Sequence, residues 1–263
     1  MVPPVSVILL VKNEHDRLPA ALATVGWADE VLVADTGSTD GTQEIARRAG
    51  ARVVEIPWEG YVASRNRALA LARHDWVFFV DADERVPEAL RDEIRRRLGE
   101  DGETIAGFRM PRLSTLLGRE VRHGAWYPDA QFRIGRRSRG FRVSGGRVHE
   151  SFLVDGPVVL LSGPLLHEPY RDFSDFLRKA SLYARLSAED RYDLGQRANI
   201  AGTLLRPIFE VLRSFLVKRG FLDGKTGVTV AFLQGWHYFL RAAFLREIER
   251  ERSRPEAEGK KAA

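Results

Sequence analysis

Asp81 and Asp83 lie two residues apart, just past the apolar run 76–80. Two carboxylates at that spacing can converge on one hard cation, and Mg2+ or Mn2+ is commonly held by one or two carboxylates plus substrate phosphates. A cation bridging a diphosphate neutralises charge that develops as the diphosphate leaves. The competing reading is structural, because Asp is favoured near helix starts and Pro87 opens a helix shortly afterwards. A second polar loop, 35–41, presents Asp35 and Asp40, and Asp40 or Thr42 can equally cap the helix that follows. Lys12-Asn13-Glu14 forms a third polar cluster.

These clusters need elements to hold them. Residues 5–11, 30–34, 52–56 and 76–80 read as strands, the first a continuous Val/Ile-rich run suited to burial on both faces. Helices are expected over 16–25, 42–49, 64–73 and 87–98, with Gly50 at a left-handed position after the second. Strand–helix alternation with short connections predicts an α/β fold with a mainly parallel, Rossmann-like sheet. Ligands bind such sheets beyond the carboxyl ends of the strands, where all three polar clusters fall.

From residue 106 the pattern loosens into strand pieces at 107–110, 131–134 and 158–166. From 172 helical periodicity dominates, with Leu204, Ile208, Leu212 and Phe215 on one face. The charged stretch 246–263 is expected to fray.

Composition narrows the classes. The 263 residues suffice for a sizeable core, and 44% apolar with 29% charged residues is ordinary for a globular chain. The absence of Cys excludes disulfides, thiolate metal sites and Cys nucleophiles. A net charge of +5, carried by Arg residues spread along the chain, suits phosphates, anionic membranes or nucleic acid without choosing among them. No G-x-G-x-x-G follows the first strand and no Gly-Lys-Ser/Thr loop occurs, which disfavours dehydrogenases and P-loop ATPases. The first residues lack a signal-peptide pattern, and no apolar run approaches the roughly 18 residues of a spanning helix. A cytoplasmic protein is expected, with possible peripheral contact at the cytoplasmic face of the inner membrane.

Lys12-Asn13-Glu14, the loop 35–42, Ser64-Arg65-Asn66 and Asp81-Ala82-Asp83-Glu84 resemble, in order, the blocks of family 2 glycosyltransferases with the GT-A fold. The resemblance implies a nucleotide-sugar site. Asn13, Glu14, Asp35, Asp40, Arg65 and Asp81 would line it, with Asp35 at the base, Arg65 at the base or diphosphate, and Asp81 at the ribose or sugar. Asp83 would ligate the metal, Mg2+ or Mn2+, with Asp81 a further candidate. Looser blocks at Tyr127-Pro128-Asp129 with Arg133, Val148-His149-Glu150, Leu166-His167 and 218–224 look like bacterial lipopolysaccharide-core β-glucosyltransferases. These imply a nucleotide-sugar half (1–105), an acceptor and catalytic half (106–170), a helical region (171–250) that associates with membrane or oligomerises, and a charged tail (251–263).

An inverting transfer needs a base for the acceptor hydroxyl. Glu150 is the candidate and Asp129 its rival; the structural alternative for Glu150 is an ion pair with one of the many Arg residues. His167, at the end of an apolar run, is a candidate third metal ligand, although a lone His is more often simply hydrogen-bonded. The expected donor is a UDP-sugar, UDP-glucose first, and the expected acceptor a glycan or glycolipid. The basic amphipathic stretch from Leu204 to Leu216 suits a membrane interface, the catalytic domain or a second subunit, so a homo-oligomer is also open.

Other classes fit less well. A sugar nucleotidyltransferase would open with a Gly-rich basic loop where Lys12-Asn13-Glu14 stands. No nucleic-acid-binding motif accompanies the charge, so no nucleic-acid partner is expected. Asp81 and Asp83 sit too close in sequence to flank a glycosidic bond as a glycosidase pair.

Overall fold

The computed structural model describes residues 2–145 and 150–253, which form two units: residues 2–120 with 127–169, and residues 121–126 with 170–253. The first unit runs β1 (Val5–Val11), α1 (Leu18–Val25), β2 (Glu30–Asp35), α2 (Thr42–Arg48), β3 (Arg52–Glu55), α3 (Tyr61–Ala70), β4 (Trp76–Phe79), β5 (Glu84–Arg85) and α4 (Glu88–Asp101). It continues with β6 (Gly107–Leu116), β7 (Arg119–Glu120), β8 (Asp129–Arg136), β9 (Arg142–Gly145), β10 (Glu150–Leu153), β11 (Val158–Leu160) and β12 (Leu165–His167).

The main sheet is ordered β3-β2-β1-β4-β8-β6-β12-β5, with β11 and β7 also paired to β6; β9 and β10 form a separate antiparallel ribbon. The strands β3, β2, β1 and β4 are mutually parallel, β8 runs antiparallel between β4 and β6, and β12 is parallel to β6. Alternation along β1 explains the two cores. Val7 and Leu9 pack with Leu18, Leu90 and Ile94, whereas Ile8 packs with Leu32, Leu69 and Phe79 on the other face. Each such fully buried side chain contributes about 1.5–3 kcal/mol.

The first strands and helices fall where the apolar pattern predicts them, with small shifts. Helix α3 begins at Tyr61 rather than 64, and Pro87 precedes α4 in an extended conformation instead of sitting in its first turn. The apolar run 158–166 is not one strand. It breaks into β11 and β12, both parallel to β6, and the residues between them bow out to meet α4. There the Ser162 and Gly163 amides donate to the Glu93 carboxylate at 2.9 and 2.8 Å, and a Cβ on Gly163 would lie 3.1 Å from Cα of Leu90.

The second unit is helical: α5 (Phe173–Asp193), α6 (Arg206–Leu212) and α7 (Gly224–Ser253). Asp172 caps α5 by accepting from the Asp175 amide at 2.8 Å. Helix α7 continues through residues 246–253, which were expected to fray, because Leu245 and Ile248 are buried with Ala188 and Arg252 pairs with Asp193 at 2.9 Å. The rest of the expected tail, 254–263, lies outside the described residues.

The stretch around α6 is patterned inside out. Glu210 and Ser214 are buried, while Leu204, Ile208, Leu212 and Leu216 are all more than half exposed. Inward, Glu210 pairs with Arg206 and Arg213 at 2.7 and 2.9 Å, and Ser214 Oγ accepts from the Ala125 amide. Among the described residues no helix is long and apolar enough to cross a membrane.

Candidate active site

The polar clusters do gather at one edge of the first unit's sheet. After β1 the chain turns through Asn13 at φ 54°, a left-handed position that Asn tolerates. This turn interlocks with the loop after β2: Asn13 donates its amide to Ser38 Oγ and accepts from the Thr39 amide, both at 2.8 Å. The Glu14 amide donates to Thr42 Oγ1 at 2.9 Å. Asp35 is buried, with Oδ2 accepting from the Gly37 and Ser38 amides and from Gln43 Nε2 at 2.7 Å, while Ser38 Oγ donates to its Oδ1. Asp40 accepts from the His15 and Thr42 amides, both at 3.1 Å. The carboxylates of this loop thus shape it.

Beyond β4 the charges interlock. Asp81 gives one oxygen to Arg65 at 2.8 Å and the other to Arg133 at 2.9 Å. Desolvation opposes its charge, yet Arg65 and then Arg133 hold its carboxyl far below the usual carboxylate range. Glu84, fully buried, accepts the Asp81 amide at 2.9 Å and lies 3.3 Å from Arg133. Burial likewise opposes the charge of Arg133, and Glu84, Asp81 and Glu150 more than offset it.

Arg65 is placed by α3, whose next residue, Asn66, grips β9. Its Nδ2 donates to the Val143 carbonyl at 2.8 Å and its Oδ1 accepts the Val143 amide at 2.9 Å. From the β9–β10 ribbon Glu150 reaches Arg65 Nε at 3.0 Å. Phe79 and Phe152 flank the Arg65 guanidinium at 5.6 and 5.7 Å. Its Nη1 is buried without a hydrogen-bond partner among the described residues. Val148 and His149, quoted with Glu150, lie outside them. Asp129 pairs with Arg112 at 2.6 Å and with Gln131 Nε2 at 2.7 Å, and Arg112 in turn lies 3.8 Å from Glu84.

Antiparallel pairing of β12 with β5 sets His167 opposite Glu84, which brings its Nε2 to 3.7 Å from Asp83 Oδ2. Ser114 Oγ lies 2.9 Å from its Nδ1, and Arg17 approaches the same Asp83 oxygen at 3.3 Å. Burial, then the neighbouring Arg112, pushes the imidazole down to about 3, so the ring is neutral at pH 7 with a nitrogen available as a ligand.

No group of three Asp, Glu or His side chains among the described residues is arranged around one metal position. Asp83 and His167 form a convergent pair, and both oxygens of Asp81 are engaged by arginines. An oxygen and an imidazole nitrogen suit Mn2+ or Mg2+ when phosphate oxygens complete the coordination. The pattern of acids was readable in the sequence, and Glu84 and Arg133 stood in quoted blocks without a role; Arg17, Arg112 and Ser114 were not singled out, and only tertiary pairing reveals them.

The family model described as glycosyl transferase family 2 matches residues 6–153, more than half of the chain. The chain belongs to that family. This glycosyltransferase is 28% identical over 253 residues to the lipopolysaccharide core biosynthesis glycosyltransferase LpsC of Rhizobium meliloti, covering 91% of this chain and 93% of the relative. It is 27% identical over 254 residues to an uncharacterized glycosyltransferase of Rickettsia typhi, covering 93% and 87%. Among solved structures, glucosyl-3-phosphoglycerate synthase from Mycobacterium tuberculosis in complex with phosphoglyceric acid superposes with a TM-score of 0.51 at 19% identity, over 76% of this chain and 82% of that one. The glycosyltransferase therefore has the expected GT-A architecture, a mixed α/β sheet followed by helices.

Proposed function

We propose that this enzyme transfers glucose from UDP-glucose to a glycolipid acceptor of the lipopolysaccharide-core type, with inversion at the anomeric carbon. The observation that carries the reading is the approach of His167 to Asp83 at the carboxyl edge of the sheet, 3.7 Å apart, next to Asp81, which holds the buried Arg65. Asp83 and His167 would hold a divalent cation, which when bound draws negative charge from the departing diphosphate. Arg65 would donate its buried Nη1–H to the nucleotide diphosphate, a partner that atom otherwise lacks among the described residues. Asp81 would keep Arg65 and Arg133 charged and aimed. Asn13, Glu14, Asp35 and Asp40 would shape the base and ribose side through the interlocked loops.

Glu150 would accept the proton of the acceptor hydroxyl as its oxygen bonds to the anomeric carbon and the diphosphate leaves on the opposite face. Similarity to LpsC across most of both chains supports this acceptor class. The outward apolar face of α6 would rest on the cytoplasmic leaflet that carries such an acceptor; pairing of two copies through that face is the alternative occupant.

Titration of UDP by calorimetry with and without Mn2+ tests the donor side. Binding should require the metal and collapse in Asp83→Ala. Equal, metal-independent binding by the wild type and the variant would remove the reading.

A further inference from the structure

The helical unit contains a cavity of about 290 Å3 into which Arg191, Arg197, Arg206 and Arg241 all face, and among the described residues no carboxylate lines it. Four guanidinium groups around one cavity repel each other, and Arg241 is the most desolvated of them, whereas Arg206 keeps half of its side chain in solvent. A cavity lined by this many cations and by no carboxylate attracts an anion. Two carboxylates close in sequence or space are already engaged, one of them in part by the cavity's own Arg206. Glu210 is shared by Arg206 and Arg213, and the Glu249 carboxylate accepts the Ala198 amide at 2.5 Å.

The arginines are also held in place. Gln196 accepts from Arg191 Nη1 at 2.7 Å through its side chain and from Arg197 Nη1 at 2.9 Å through its carbonyl. The ring of Tyr238 supports two of them, Arg241 at 4.3 Å and Arg206 at 5.4 Å from its centroid. Burial, then Arg191 and Arg206 as like charges, lowers the basicity of Arg241. A planar guanidinium so fixed matches the tetrahedral oxygens of phosphate better than it matches chloride or a single carbonyl.

We infer that this cavity is an anion site, in which Arg191, Arg206 and Arg241 bind a phosphate group. It belongs to the helical unit alone and does not depend on the nucleotide-sugar reading of the sheet edge. The group is a phosphate monoester or diphosphate, borne either by a small solute or by a lipid headgroup.

The test compares wild type with Arg241→Gln in two arms, without nucleotide. In the first, thermal unfolding is followed with inorganic phosphate against chloride at equal ionic strength. In the second, binding is measured to phosphatidylcholine vesicles with and without phosphatidic acid. Substitution removes a buried like charge, so Arg241→Gln should fold and match or exceed the wild-type melting temperature without ligand; Arg191→Gln serves as a second variant. The expected result is a phosphate-specific rise in melting temperature, or phosphatidic-acid-dependent binding, weakened about tenfold or more in both variants. Loss in the first arm identifies a soluble phosphate, and loss in the second alone a lipid-borne one. Responses that are unchanged in both variants, or no greater for phosphate than for chloride and for phosphatidic acid than for phosphatidylcholine alone, overturn the assignment.

Discussion

His167 Nε2 lies 3.7 Å from Asp83 Oδ2 because β12 and β5 pair antiparallel at the sheet edge. Two strands distant in sequence thereby set two potential ligands on one position. Behind the imidazole, Ser114 Oγ at 2.9 Å from Nδ1 fixes which nitrogen faces the carboxylate. Ser114→Ala should weaken Mn2+-dependent UDP binding about 10–100-fold while leaving the fold intact. Isothermal calorimetry across a Mn2+ series measures this, and unaltered metal dependence would separate Ser114 from the site.

Acid stability should carry the signature of His167. Its folded value near 3 lies below the ordinary 6.5, so below pH 6.5 the unfolded chain binds a proton that the folded chain refuses. Stability therefore falls as pH drops through that window, by up to about 1.4 kcal/mol per pH unit. The carboxyl of Asp81, held low, contributes only below the usual carboxylate range. Urea titrations of the metal-free enzyme between pH 7 and 5 should show a slope that His167→Gln flattens. An equal slope in the variant would assign it elsewhere.

Arg133 balances Asp81 and Glu84 with its side chain only 6% exposed. Arg133→Met leaves those carboxylates without it and should cost about 3–5 kcal/mol of stability. The exposed pair Arg142–Asp155, by contrast, should cost about 0–1 kcal/mol when Arg142 becomes Ala. Chemical denaturation of the two variants gives the comparison.

Glu150→Gln should lower kcat about 10²–10⁴-fold with the donor KM little changed, as expected of a lost base. Both carboxylates are held by arginines, but Asp129→Asn should reduce it less, because Asp129 stands with Arg112 and Gln131 rather than beside Arg65. A reversed ranking in a steady-state transfer assay would exchange their roles.

Much of the polar cluster at the sheet edge was legible because β1, β2 and β4 are apolar runs whose ends carry the acids, and Asp35, Asp81 and Asp83 stand out against them. Arg133 stood in a quoted block without a role, and Arg17 and Arg112 could not be picked from a chain with 41 Lys and Arg residues, since their importance comes from tertiary pairings. The run 158–166 misled for a related reason. Its apolar character describes burial, whereas the break depends on Glu93 of α4 capturing the Ser162 and Gly163 amides. Residues 246–253 looked like a tail because their charge hides Ile248, a single buried anchor.

Asn66 binds the Val143 amide and carbonyl at once, one residue after Arg65. That bidentate grip couples the helix bearing a donor-side arginine to the ribbon bearing Glu150. A displacement of Arg65 would reach that ribbon by two routes, its own ion pair with Glu150 and this carboxamide. If Arg65 meets the donor nucleotide, donor-first kinetics would be a mechanical property of the scaffold, and Asn66→Ala would weaken that order without touching either substrate.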